Sequence, residues 1–175
     1  DSAGAVVVED ACHALGSRLL QGNAEVPVGS GRWSSASTFS FHPVKTIATG
    51  EGGMITTPDA GLAERLRRLR SHGMVRPPGA DPWWYEMAEP GFNYRLPDVL
   101  CALGHSQLAK LPRFSAARQA LAARYLEALT PLATAVRPAA SPEGSVATPH
   151  LMCVLIDFAA VGRSRRQVME ALKDR

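Results

Sequence analysis

Short apolar runs alternate along the chain with stretches whose apolar positions recur every three or four residues, and this alternation predicts an α/β fold. Residues 5–8, Ala-Val-Val-Val, are a continuous run rich in β-branched side chains, the pattern of a strand buried on both faces. The run leads into Glu9-Asp10, which places carboxylates at the carboxyl end of a strand. Residues 37–41 and 54–57 read as two further short strands, with a glycine-dense loop at 43–53 between them that carries one lysine, Lys45. After Pro58-Asp59, Leu62, Leu66 and Leu69 fall at helical spacing and predict a helix to about residue 71. Asp59 is its expected N-cap and Gly73 its expected stop. Residues 75–90 are aperiodic and rich in Pro and Trp, so they predict a long loop of the kind that is usually functional or subunit-contacting. Two helices follow at about 97–111 and 113–129. Residues 131–149 read as a linker, 151–156 as a strand and 164–173 as a final helix.

This order suggests residues 1–130 as part of a large domain, 131–149 as a linker and 150–175 as the incomplete start of a smaller domain. The chain has 175 residues, opens without Met and runs almost directly into a strand-like segment, so we expect a fragment of a longer protein. The apolar fraction of 46% and charged fraction of 20% are those of an ordinary globular chain, and no apolar run nears the roughly 20 residues that span a bilayer. No signal-peptide pattern opens the chain, and a cytoplasmic, membrane-free protein is expected. Cys12, Cys101 and Cys153 are far apart and show no metal-ligand spacing, so they predict reduced thiols, each in a small core position, and no metal site. The net charge of +3 comes largely from Arg65, Arg67, Arg68 and Arg70 and from Arg163, Arg165 and Arg166. No aromatics interleave with these arginines, which predicts solvated helix faces and no nucleic-acid partner.

Four clusters can carry chemistry. The first is VEDACHALGS, with Asp10 where α/β folds place ligands, a position that also suits a helix cap. The second is TFSFHPVKTIATGEGGMITT, where glycines beside Lys45 suit close approach to a planar or phosphorylated ligand. A lysine of this kind forms a Schiff base with a carbonyl compound once its amine is neutral, although a lone loop lysine is also a plain surface charge. The third is GFNYRLPD, which holds Asn93, and the fourth is the helix ALGHSQL, whose small residues allow close packing.

Taken in order, VEDACHALGS, TFSFHPVKTIATGEGGMITT, RSHGM, GFNYRLPDVLCALGHSQL and HLMCVLID resemble the DegT/StrS nucleotide-sugar aminotransferases over nearly the whole chain. Within that family, SFHPVK followed by TGEGG is most similar to transaminases that make UDP-4-amino-4,6-dideoxy-N-acetyl-β-L-altrosamine on the route to pseudaminic acid. The resemblance implies a fold-type I, aspartate-aminotransferase-like architecture, of which this chain is the central part of the subunit. It implies pyridoxal 5′-phosphate as cofactor and Lys45 as the catalytic Schiff-base lysine and proton shuttle. It implies Asp10 facing the cofactor's pyridine nitrogen and His13, where relatives often have Gln, near the 3′-oxygen. Ser40 matches a hydroxyl that binds the phosphate, and Asn93 an amide that reaches the phosphate of a neighbouring subunit, hence a homodimer.

The implied reaction moves an amino group from L-glutamate, leaving 2-oxoglutarate, to the C4 ketone of a UDP-linked 6-deoxy sugar. Related sugar dehydratases carry His in place of the lysine, so Lys45 favours transamination. His42 reads as loop scaffolding, and Trp33, Trp83 and Trp84 as packing or subunit contacts. Family subunits are about twice as long, so the expectation for this stretch alone is a set of cofactor-site residues without a competent active site. The alternatives are another 3-keto or 4-keto sugar aminotransferase of the family, a regulatory relative, or an inactive fragment.

Overall fold

In the computed structural model, which describes residues 3–174, the sheet that positions the site has only three strands. They are β1 (Val8–Asp10) and, after a hairpin of β2 (Arg18–Gln21) and β3 (Ala24–Pro27), β4 (Ala36–Ser40) and β5 (Gly53–Thr56). β4 is central: it runs parallel to β1 with Asp10 opposite Thr38, and antiparallel to β5 with Thr38 opposite Ile55. Its Ala36, Ser37 and Phe39 are buried and, with Ala11 and Ile47, form the small core. The two later strands fall within one residue of their expected bounds. The first does not. The valine run is mostly a lead-in, and Val6, Val7 and Val8 are 75%, 48% and 59% exposed. The cause is that β1 is an edge strand here, paired with β4 alone.

Residues 18–27, which the sequence left unassigned, form the β2–β3 hairpin, with Gln21 opposite Ala24 across a Gly22-Asn23 turn. Gly22, at φ 61°, takes the first central position of that two-residue turn, where positive φ is required.

Then comes α1 (Ala60–Leu69), with the Asp59 carboxylate accepting the Leu62 N–H at 3.0 Å as the expected cap. The long loop beyond it is not featureless, since β6 (Met74–Val75) and β7 (Glu86–Met87) close a small antiparallel ladder. The segment just beyond β7 is pinned to α1, because Arg65 and Arg68 both donate to Glu89. These two arginines are therefore not the free solvated face that the pattern suggested. Their hydrogen bonds, that of Arg68 first and that of Arg65 next, hold the Glu89 carboxyl below its ordinary value, and their charges push it the same way.

α2 (Asp98–Leu108) and α3 (Leu111–Leu129) follow, and a 3-10 turn at Thr130–Leu132 ends the pair. Cys101 on α2 is exposed, as is Cys153 further on, so neither fills the core position expected of it; only Cys12 is half-buried. No element among the described residues covers the two exposed thiols. The presumed linker contains β8 (Val136–Pro138) and β9 (Ser145–Val146). β9 adds to the edge of the first hairpin through β2, and β8 pairs antiparallel with β10 (Val154–Ile156). α4 (Phe158–Val161) and α5 (Arg165–Lys173), the latter opened by a Ser164–Gln167 capping box, finish the chain. No helix among the described residues is long and apolar enough to cross a membrane.

One glycine marks where this fold is tight. Gly73 is buried at φ 70°, and a Cβ there would run into the Glu89 carbonyl oxygen. Gly79 has a similar φ of 77° but open space around it. In the full-length protein, Gly73→Ala should lower the unfolding free energy by about 3 kcal/mol and Gly79→Ala by about 1 kcal/mol, read by urea titration. Equal losses would show that the backbone crossing at Glu89 contributes nothing.

Candidate active site

The site begins at the carboxyl ends of the parallel pair, since β1 ends in Asp10 and β4 in Ser40. The ladder continues one step past β1, where the Ala11 N–H donates to the Thr38 carbonyl at 2.9 Å. Asp10 then turns back on its own chain, and its carboxylate accepts the Cys12 N–H at 3.1 Å. Bonds from the Cys12 side chain and backbone hold the Asp10 carboxyl below its ordinary 3.8, and the charges of His13 and Lys45 push it the same way. The same contact raises the Cys12 thiol, which stays protonated and also donates to the Thr38 carbonyl. His13 and Lys45 are thus both near enough to act on the Asp10 carboxylate.

Lys45 is placed by a loop that closes on itself. Phe41 N–H donates to the Gly52 carbonyl at 2.8 Å, and Thr49 N–H to the Phe41 carbonyl at 2.9 Å. Inside it, the Lys45 N–H bonds the His42 carbonyl at 2.9 Å, and the His42 Nδ1 accepts from Val44. His42 thus serves the loop, the scaffold role expected of it. The base of the loop is Thr49, fully buried, whose hydroxyl donates to the Glu51 carbonyl and whose methyl meets Gly104 of α2. A Cβ at Gly104 would stand 3.0 Å from that methyl, so a small residue is what lets helix and loop approach. Lys45 is half-buried, and it lines a cavity of about 520 Å³ together with Gln107, Phe114 and Arg118. Asp10, His13 and Ser40 do not line that cavity. It records room on the α3 side of the lysine loop, and the strand ends remain the better guide to the site.

Ser40 is half-buried at the same edge, its hydroxyl accepting the His42 N–H at 3.4 Å. Asn93 is elsewhere. It is exposed, its backbone bridges to Ser71, and no hydrogen bond among the described residues ties it to Asp10, His13, Ser40 or Lys45. Trp33, Trp83 and Trp84 are all substantially exposed.

Two residues join the group that sequence reasoning did not assign. The His150 ring meets the His13 ring edge-on, with centroids 4.5 Å apart. Arg118 of α3 donates to the backbone carbonyls of Pro149 and His150, at 3.1 and 3.3 Å. Burial pushes the His150 imidazole below its ordinary 6.5, and the charges of His13, Lys45 and Arg118 push it further down. The available signal for His150 was its place as the first residue of HLMCVLID; nothing in the sequence marked Arg118.

A carboxylate, a half-buried amine, a hydroxyl and an imidazole on one strand edge match what pyridoxal phosphate requires: an anion for its ring nitrogen, an amine for its aldehyde and a donor for its phosphate. The fold is that of the fold-type I pyridoxal-phosphate enzymes, read here over the central part of their subunit. The DegT/DnrJ/EryC1/StrS aminotransferase family matches residues 1–175, and the chain belongs to that family. Helicobacter pylori PseC, an aminotransferase involved in the biosynthesis of pseudoaminic acid, is 32% identical with a TM-score of 0.83, over 96% of this chain and 42% of its own. DesI, solved in the presence of its TDP-sugar product, is 33% identical with a TM-score of 0.81, over 99% of this chain and 41% of its own. Spr1654 from Streptococcus pneumoniae, solved in a PLP-form, is 28% identical with a TM-score of 0.73, over 87% of this chain and 37% of its own. The chain thus spans about two fifths of these proteins' length. Pyridoxal 5′-phosphate is the cofactor of the family.

The shifted groups give stability a pH dependence in two windows. A histidine lowered in the fold binds its proton better when unfolded, so stability is lost as pH falls through about 6.5 toward the folded value. Asp10, lowered in the fold, contributes above its ordinary 3.8, and that contribution disappears as pH falls through its folded value. Between pH 8 and pH 5.5, urea unfolding of the full-length protein should therefore show a smaller loss of stability for His150→Gln than for wild type. Identical losses would mean that His150 is not buried as described.

Proposed function

We propose that the full-length protein is a nucleotide-sugar aminotransferase that moves an amino group from L-glutamate to the C4 ketone of a UDP-linked 6-deoxy sugar. The observation that carries this reading is the meeting of Asp10, His13 and Lys45 at the carboxyl edge of a parallel strand pair. The transaminase class is supported by family membership, and the sugar class by PseC's involvement in pseudoaminic acid biosynthesis and by DesI's TDP-sugar product. The amino donor is carried over from the family resemblance.

Bound pyridoxal phosphate supplies a carbonyl for an amine to attack and a ring that withdraws electrons from the reacting carbon. The rest falls to the protein's side chains. Lys45 would be the nucleophile, and its amine would move a proton between the substrate carbon and the cofactor's C4′ carbon. Asp10, held ionised by Cys12 and by its basic neighbours, keeps a proton on the ring nitrogen. Ser40 donates to the phosphate, and His13 supplies a hydrogen bond at the ring's oxygen substituent. Asn93, which is exposed, is assigned by the family resemblance to the phosphate bound by a second copy, which would make the working unit a homodimer. Three free thiols suit a reducing, cytoplasmic setting. DesI's TDP-sugar product favours a second reading that differs only in the nucleotide.

The deciding experiment uses the full-length protein loaded with pyridoxal phosphate. Borohydride reduction and peptide mass spectrometry should find the cofactor on the Lys45 peptide, and L-glutamate should bleach the visible band. Lys45→Ala should lose both signals, while Asp10→Asn should keep the cofactor and lose turnover by about 10²-fold or more. A visible band that survives Lys45→Ala would remove the assignment. Assay with UDP- and TDP-linked 4-keto sugars then separates the two nucleotide readings.

A further inference from the structure

His150 is carried to the site by a strap that is fastened at every step. The Thr148 N–H donates to the Ser17 hydroxyl at 2.9 Å, four residues beyond His13, and the Thr148 hydroxyl donates to Ser115 of α3 at 3.0 Å. Gln119 of α3 donates to the Ala147 carbonyl, and Arg118 to the next two carbonyls but one, those of Pro149 and His150. Thr148 is almost wholly buried, and Gly16 lies beneath it with no room for a side chain between Ser115, Thr148 and Leu111. The strap thus has one position along α3, and the His150 ring inherits it. The Nδ1 of that ring is buried without a partner among the described residues. An unpartnered buried nitrogen costs stability, on the order of 1–3 kcal/mol. What the ring does touch is His13.

We propose that His150 is a positioning residue for the active site: the strap sets its ring edge-on against His13 and so fixes the orientation that His13 presents to the cofactor. The role of the contact rests on the functional reading above, in which His13 faces the cofactor. The ring suits the task, because an aromatic edge constrains a neighbouring ring more narrowly than an aliphatic side chain does. Burial also disfavours its charged form, so it adds no further positive charge beside Lys45 and Arg118.

The test compares His150→Leu, which fills space without a ring, with His150→Phe, which keeps an aromatic edge and removes the unpartnered nitrogen. In the cofactor-free full-length protein labelled at histidine, ring protons of His13 and His150 should show a direct nuclear Overhauser contact, a reading that needs no variant. His150→Leu should move the His13 resonances well beyond any change at His42, His72 and His105, and weaken cofactor binding about tenfold. His150→Phe should keep cofactor affinity within about threefold of wild type. A purely structural role would lower the melting temperature of His150→Leu while leaving cofactor affinity unchanged. Absence of the ring contact, or wild-type affinity in His150→Leu, overturns the positioning role even where the Lys45 experiment succeeds. Failure of the Lys45 experiment instead overturns both readings, whatever the rings do.

Discussion

The parallel pairing of β1 with β4 is the constraint from which the site follows. With Asp10 opposite Thr38, the carboxylate and the Ser40 hydroxyl end on the same edge, two residues apart in register. Side chains alternate along a strand, so a slip of one residue would turn Asp10 to the other face. Buried bonds secure the register: Ser37 donates to the Glu9 carboxylate at 2.6 Å, within a buried pair with Ser34. Lys45 depends on the same arrangement. Its loop begins where β4 ends and is tied back at Phe41, one residue past the strand.

A second layer of restraint comes from segments far apart in sequence. α2 supports the lysine loop through the Thr49 contact at Gly104, and α3 holds the strap through Ser115, Arg118 and Gln119. One helix thus sets the height of the lysine and the next sets the place of His150. Such division of labour is how a fold keeps a few polar groups within the tolerance that chemistry demands.

The sequence made legible what depends on local pattern. Strands β4 and β5, the capped helix α1 and the helices α2 and α3 all follow from apolar spacing and cap residues within a few positions. Asp10, His13, Ser40, Lys45 and Asn93 were picked out by motif resemblance; His13 and Lys45 are near enough to act on the Asp10 carboxylate, and Asn93 is exposed and bridges to Ser71. What escaped was short or non-local. The β2–β3 hairpin has a Gln-Gly-Asn-Ala turn signal, but its strands carry Arg18 and Glu25, an ion pair at 2.6 Å, where an apolar alternation would have been easier to see. β9 is two residues long and exists only because β2 offers it an edge. The burial expected of the valine run and of Cys101 and Cys153 failed for one reason: burial belongs to a neighbour, and a local pattern cannot say whether one is present.

The bond between Thr148 and Ser17 joins residues 131 apart in the chain. Closing a loop of that length carries an entropic penalty of about 4 kcal/mol, repaid only when several contacts form together. The hairpin, the lysine loop and α3 are all local and can form in the order in which they are made. The histidine pair cannot. It comes into being only when the strap crosses back over α3, so that wall of the site depends on a long-range closure that the local elements do not need.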